Sequence, residues 1–239
     1  MKLYYDFHIH SCLSPCGSED MTPNNIVNMA QLIGLDAIAV SDHNSCKNIP
    51  AVLKCAEGTS LLVVPGIEVE SREEVHILCL FDSMESLASF AEVIEEHLLK
   101  IPNKTEVFGE QAIMDENDKV IGTYPNLLIT ATDLSIEDVI KLCRDKKGVP
   151  IPAHIDREAN SVITNLGFII PEYGFKTIEI SKNTTKEEVL LQHAYLEGYN
   201  FIGNSDAHYL ENIAEKERYI EVDEKSTKAV IDYLLGVEN

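Results

Sequence analysis

The chain has 239 residues, 45% of them hydrophobic, and its 40 acidic residues outnumber 19 basic ones to leave a net charge of −21. Those numbers allow a sizeable core, argue against gripping long nucleic acid, which relies on Lys and Arg at phosphates, and disfavour anionic membrane surfaces. No apolar run approaches the about 20 residues of a membrane span, no signal pattern opens the chain, and six cysteines form no CxxC pair, so a cytoplasmic protein with reduced thiols is expected.

Short apolar runs alternate with helical patterns from the start. Residues 3–10, "LYYDFHIH", read as a strand, followed by a helix with Thr22 as N-cap, Pro23 in its first turn and Gly34 past its end. A second strand, "DAIAVSDH" (36–43), precedes a helix over 47–57; strands over 60–70 and 74–81 are joined by a polar turn, and an amphipathic helix covers 84–100. Segment 102–134 breaks the rhythm. Two short apolar arms flank a polar turn there, which predicts an inserted β-hairpin, either a lid or specificity element or an inert excursion.

The alternation then resumes. A helix capped by Ser135 and ended by Gly148 leads to a strand over 149–155, a helix near 159–170 and a strand over 176–181. A helix over 185–197, opened by a capping box of Thr184 and Glu187, precedes strand 200–206, a strand in "RYIEV" and a final helix from about 226. Continuous apolar strands separated by helices predict parallel pairing with both sheet faces covered. Seven or eight such units predict a closed α/β barrel, a single domain over 1–239.

The histidines fall near strand ends. His8 and His10 end the first strand, His43 ends the second, His154 ends "VPIPAH" and His208 follows "FIGNSD". His76 opens its strand, so that strand must begin at the shared rim or run against the others. Glu68 stands late in "VVPGIEVE" and Asp206 ends "GNSD". Residues two apart on a strand share a side, and a barrel brings its strand ends to one rim. Burying imidazoles without partners is costly, and a metal ion partners several at once. His97 and His193, alone on helices, read as ordinary residues.

The ordered set "DFHIH", "SDHN", "PGIEV", "VHIL", "PAH" and "SDAH" resembles the polymerase and histidinol phosphatase (PHP) superfamily of metal-dependent phosphoesterases. The resemblance spans residues 6–208 and implies a distorted (β/α)7 TIM-like barrel with two or three divalent ions (Zn, Mn or Fe) at the C-terminal mouth of its strands. Carried over, His8, His10, Glu68 and Asp206 hold a first metal; Glu68, bridging, with His76 and His154 holds a second. His43 and His208 hold a third with a residue from the loop after strand one. Cys16 stands where some members have a histidine, and it is either a thiolate ligand or an ordinary loop thiol. Asp6 and Asp42 precede metal histidines and are candidates to orient them, although Asp6 could instead pair with backbone.

Paired divalent ions polarise a phosphate ester and lower the pKa of a bound water that attacks it. No nucleophile elbow or P-loop motif is present. Leaving-group protonation is assigned to a metal-bound water, or to His208 or His43 if either is unligated. Arg157 is the best-placed cation for the remaining phosphate oxygens, with Lys182 and Arg72 as weaker candidates. The expected activity is hydrolysis of a small phosphomonoester, nucleotide-like or histidinol-phosphate-like. The alternatives are a phosphodiesterase or exonuclease on short nucleic acid ends, and a non-catalytic metal-bound module.

Overall fold

The architecture is that of a computed structural model, which describes residues 1–237. β1 (Lys2–Ile9) leads into α1 (Pro23–Ile33), β2 (Ala37–Val40) and α2 (Ile49–Ala56); β3 (Leu62–Val63), β4 (Gly66–Glu70) and β5 (His76–Leu80) then follow without a helix between them. α3 (Met84–His97) precedes the inserted segment, which holds the single turn α4 (Thr105–Phe108) and the hairpin of β6 (Ala112–Met114) with β7 (Val120–Thr123). The last part runs α5 (Ile136–Asp145), β8 (Val149–Pro152), α6 (Val162–Leu166), β9 (Thr177–Ser181), α7 (Lys186–Gln192), β10 (Asn200–Asn204), β11 (Tyr219–Glu221) and α8 (Thr227–Leu234).

Helix starts follow capping chemistry closely. Thr22 caps α1 by accepting from the Asn25 amide, with Pro23 in the first turn and Gly34 closing the helix in the left-handed region at φ 86°. Ser135 and Asp138 form a full capping box on α5. Two expectations are corrected. The box on α7 uses Thr185 and Glu188, one residue later than Thr184 and Glu187. Gly148 does not supply the turn after α5; Lys147 takes the positive φ, at 64°. Gly148 is a glycine for space, since a Cβ would lie 2.4 Å from the Phe81 ring and 2.7 Å from Cys143 Sγ.

The strand pairing differs from an all-parallel sheet. β1, β2 and β3 pair in parallel, as do β9 and β10, but β5 runs antiparallel to both β4 and β8, and β11 runs antiparallel to β1. The departure has a local cause: the connection from Ser71 to Val75 is too short for the crossover that parallel strands require, so β4 and β5 must form a hairpin. The strands form four separate sheets, ordered β11-β1-β2-β3, β4-β5-β8, β9-β10 and β6-β7, rather than one continuous barrel. Isolated backbone bridges join the first three sheets near the site. His43 bridges Glu68 in parallel register, the Ile155 amide donates to the Glu179 carbonyl at 2.9 Å, and the His10 amide donates to the Ala207 carbonyl at 2.9 Å.

Two apolar layers result. Leu3, Tyr5 and Phe7 join Leu78, Ile151 and Ile202 in one cluster that α8 closes with Val230 and Leu234. Ile9, Ile38 and Val40 face a second cluster packed under α1, α2, α3 and α5. Phe7 and Ile9 thus fall in different clusters, and the β1–β2 register shifts between Asp6 and Ile9. Such an irregularity re-aims the end of a strand, here the stretch carrying His8 and His10. Among the described residues no helix is long and apolar enough to cross a membrane.

Candidate metal centre

Glu68 stands at the middle of the site. Its Oε1 lies 3.2 Å from His8 Nε2, 3.0 Å from His76 Nδ1 and 3.3 Å from His154 Nε2. Its Oε2 lies 3.4 Å from His10 Nε2 and 3.0 Å from His43 Nδ1. Asp206 Oδ1 approaches His10 Nε2 at 2.9 Å and His8 Nε2 at 3.5 Å, with His208 Nδ1 at 3.7 Å. The antiparallel run of β5 makes this possible, because it sets His76, the first residue of that strand, opposite Glu70 at the end of β4. Three turns that end strands here put non-glycine residues at positive φ: Asn44 at 50°, His154 at 30° and Asp206 at 50°. Backbone strain of this kind collects at functional sites.

Hydrogen-bond partners decide which nitrogen of each ring faces inward. His8 Nδ1 lies 3.0 Å from both carboxylate oxygens of Glu179, so it carries the proton there and turns Nε2 to the centre. The Ser14 hydroxyl has one proton, which it donates to Asp42 at 2.7 Å. Its 3.1 Å contact with His10 Nδ1 is therefore accepted from that ring, leaving His10 Nε2 bare. His208 Nδ1 donates to the Asp206 carbonyl at 2.9 Å.

Those inward atoms have no hydrogen-bond partners of their own. His8 Nε2, His10 Nε2, His43 Nδ1, Glu68 Oε2 and Asp206 Oδ1 are all buried and unsatisfied. Unmade buried hydrogen bonds cost ~1–3 kcal/mol each. A divalent cation among these atoms would satisfy them together, and imidazole with carboxylate is the donor set such ions take. Three triples have donor atoms within 4.8 Å of one another: His8, His10 and Glu68; His43, Glu68 and His76; and His10, His43 and His208.

Titration follows the same geometry. Burial would raise the Glu68 carboxyl, but His76, His8 and His43 hold it well below its ordinary range. Burial opposes charge on His8, yet Glu179, Glu68 and Asp206 raise it well above a normal imidazole. Burial, with His43 and His208 nearby, pushes His10 well below. Cys16 is exposed and shares the cavity wall with His43 and His208; desolvation pushes its thiol up, and these two imidazoles outweigh that, leaving it at about 7.

A cavity of 560 Å³ opens onto the cluster, lined by His43, His76, His154, Asp206 and His208 together with Cys16 and Arg157. Arg157 Nη1 sits 2.5 Å from Asp206 Oδ2, the oxygen facing away from the imidazoles. Lys182 is elsewhere, donating to the Asn212 carbonyl at 3.2 Å, and exposed Arg72 lies 3.5 Å from Glu73; neither lines this cavity. Asp6 holds backbone, accepting from the Ser205 amide at 3.1 Å and the Ala214 amide at 2.9 Å. Asp42 reaches His10 through Ser14. His97 lies on the surface, paired with Asp133.

Sequence reasoning missed Glu179, Ser14 and Glu70. Glu179 is fully buried within the apolar run "TIEIS", and a lone carboxylate in such a strand was the available signal. Ser14 carried no signal, because its role depends on the fold of the loop. Glu70 lines the cavity, and burial raises its carboxyl to about 7 despite the opposing pull of His43.

Among curated proteins none matches the chain's sequence. Solved structures share its fold at low identity. PfuEndoQ, a lesion-specific endonuclease from Pyrococcus furiosus, superposes with a TM-score of 0.74 at 20% identity, over 100% of this chain and 57% of its own. This chain therefore spans little more than half the length of that neighbour. A protein assigned as a metal-dependent phosphoesterase from Bifidobacterium adolescentis gives 0.63 at 20% identity over 96% and 95% of the two chains. An amidohydrolase from Chromobacterium violaceum, with bound sulfate and no metal, gives 0.61 at 18% identity over 93% of each. At sequence level the PHP domain matches residues 6–237, and with this match the chain belongs to the PHP family, whose members are metal-dependent hydrolases, phosphoesterases or nucleases.

Proposed function

We propose that the protein hydrolyses a phosphomonoester of a small molecule, with two or three divalent ions held by His8, His10, His43, Glu68, His76, His154, Asp206 and His208, and with Cys16 as a further donor beside His43 and His208. One observation carries the reading: five inward-facing donor atoms are buried and unsatisfied at the base of an open cleft of 560 Å³. Zn, Mn or Fe bound there supplies Lewis-acid polarisation of the phosphoryl group and acidifies water at neutral pH. Glu179 and Ser14 hold His8 and His10 in the ligating tautomer. Arg157 anchors Asp206 and offers its remaining N–H groups to phosphate oxygens. His208 or His43 protonates the leaving group where either stays off a metal. We also read the linked sheets as one distorted (β/α)7 barrel, in the ring order β1, β2, β4, β5, β8, β9, β10, supported by the isolated backbone bridges between them.

The likeness to PfuEndoQ favours a second reading, cleavage of a phosphodiester in DNA. The net charge of −21 weighs against it, because DNA binding rests on phosphate neutralisation. Purified protein given Mn or Zn, tested on phosphomonoesters, phosphodiesters and an abasic-site duplex, separates the two. Phosphate release from monoesters alone supports the first reading. Strand cleavage alone supports the second, and inactivity with full metal occupancy indicates a non-catalytic module.

A further inference from the structure

The inserted segment puts an aliphatic side chain into the metal cavity and fixes it there. Ile129 lines the cavity, where apart from Ala159 its companions are polar or charged. The carbonyls on either side of it, Leu128 and Thr130, both accept from Asn44 Nδ2, at 2.8 and 3.0 Å. Asn44 directly follows His43; its own amide donates to the Glu68 carbonyl at 2.8 Å, and its Oδ1 accepts from the Glu70 amide at 3.1 Å. One side chain thus ties the insertion to the two stretches that carry Glu68 and His43.

A second clamp lies behind it. Fully buried Gln111 accepts from the Leu128 amide at 2.8 Å and donates to the Tyr124 and Asn126 carbonyls. Leu128 packs with Leu13, Leu98 and Tyr124 in a cluster of its own, and Thr132 binds the Glu70 carbonyl through both its amide and its hydroxyl. Segment 126–132 is held on both sides, which a lid that swings open cannot be.

We propose that Ile129 is a fixed specificity wall that packs against an apolar part of the substrate's leaving group, so that the cavity prefers phosphomonoesters with an alkyl or aryl skeleton next to the ester oxygen. The inference rests on the reading that phosphate sits at the metal cluster. Binding is the chosen test because it does not require turnover. Isothermal titration calorimetry of the manganese-loaded full chain would compare methylphosphonate with butylphosphonate. Apolar pocket contacts of one methylene or more are worth about tenfold. Wild type is expected to bind butylphosphonate at least tenfold tighter, Ile129→Ala to lose about tenfold of that ratio, and Ile129→Leu to keep most of it, all with unchanged manganese content. Hydrogen exchange should find the Leu128 and Thr132 amides protected, and Asn44→Ala should speed exchange across 127–132. Equal affinity for the two phosphonates, an unchanged ratio in Ile129→Ala, or wild-type exchange as fast at Leu128 as in the 115–118 turn would each overturn the wall. Failure to hydrolyse any monoester would instead overturn the proposed function and leave the binding result standing.

Discussion

Glu179 gives the sharpest prediction, because it touches the cluster only through one imidazole. It is fully buried, and both its oxygens lie 3.0 Å from His8 Nδ1. Glu179→Gln keeps an acceptor for the Nδ1 proton but removes the charge that makes the ring a better donor to metal. Loss of such an outer partner costs ~10–100-fold in metal affinity. The amide should fall at the lower end, about tenfold, or ~1.4 kcal/mol. Glu179→Leu also strands a buried N–H, worth ~1–3 kcal/mol, which moves the expected loss towards about a hundredfold. Competition of the purified variants against a fluorescent zinc chelator measures this directly, and histidine 15N shifts report whether His8 still holds its proton at Nδ1. Glu179→Leu binding zinc as tightly as wild type, with the same His8 tautomer, would refute the reasoning.

Three further perturbations test other parts of the site. Glu68→Gln should lose both metal content, by elemental analysis, and the proposed phosphate-ester hydrolysis, whereas His97→Gln should retain the wild-type metal content; equal effects would undermine the assignment. In metal-free protein, iodoacetamide should alkylate Cys16 with a midpoint at about pH 7, set by its contacts with His208 and His43, and zinc should protect it; a midpoint near that of a free thiol would show those contacts to be absent. Ser14→Ala removes the acceptor for His10 Nδ1 and should weaken manganese binding about tenfold, while Ser14→Thr, which keeps a hydroxyl, should restore it.

Much of the fold was legible because its signals are local. Thr22 with Pro23 and Gly34, or Ser135 with Asp138, mark helix ends through neighbouring atoms alone. The candidate ligand residues stood out for a related reason: His8 and Glu68 are polar groups in otherwise apolar strands, which a folded chain must satisfy somehow. Strand direction was less legible. "GIEVE" and "HILCL" look like buried parallel strands, and only the five residues available for the turn between them force the antiparallel hairpin that brings His76 to Glu68. Ser14 and Asn44 were hidden for a third reason. Their roles are contacts across 4 and 84 residues of chain, or depend on which way a loop folds, and no periodicity encodes such contacts.

The central claim is that distant parts of the chain converge to hold divalent ions on one carboxylate. Crystals grown with manganese, measured at its absorption edge, test it most directly. The account predicts anomalous peaks bonded to both oxygens of Glu68, with His8, His10, His76, His154 and Asp206 among the other ligands. An anomalous map with manganese bound elsewhere and none at Glu68 would contradict it.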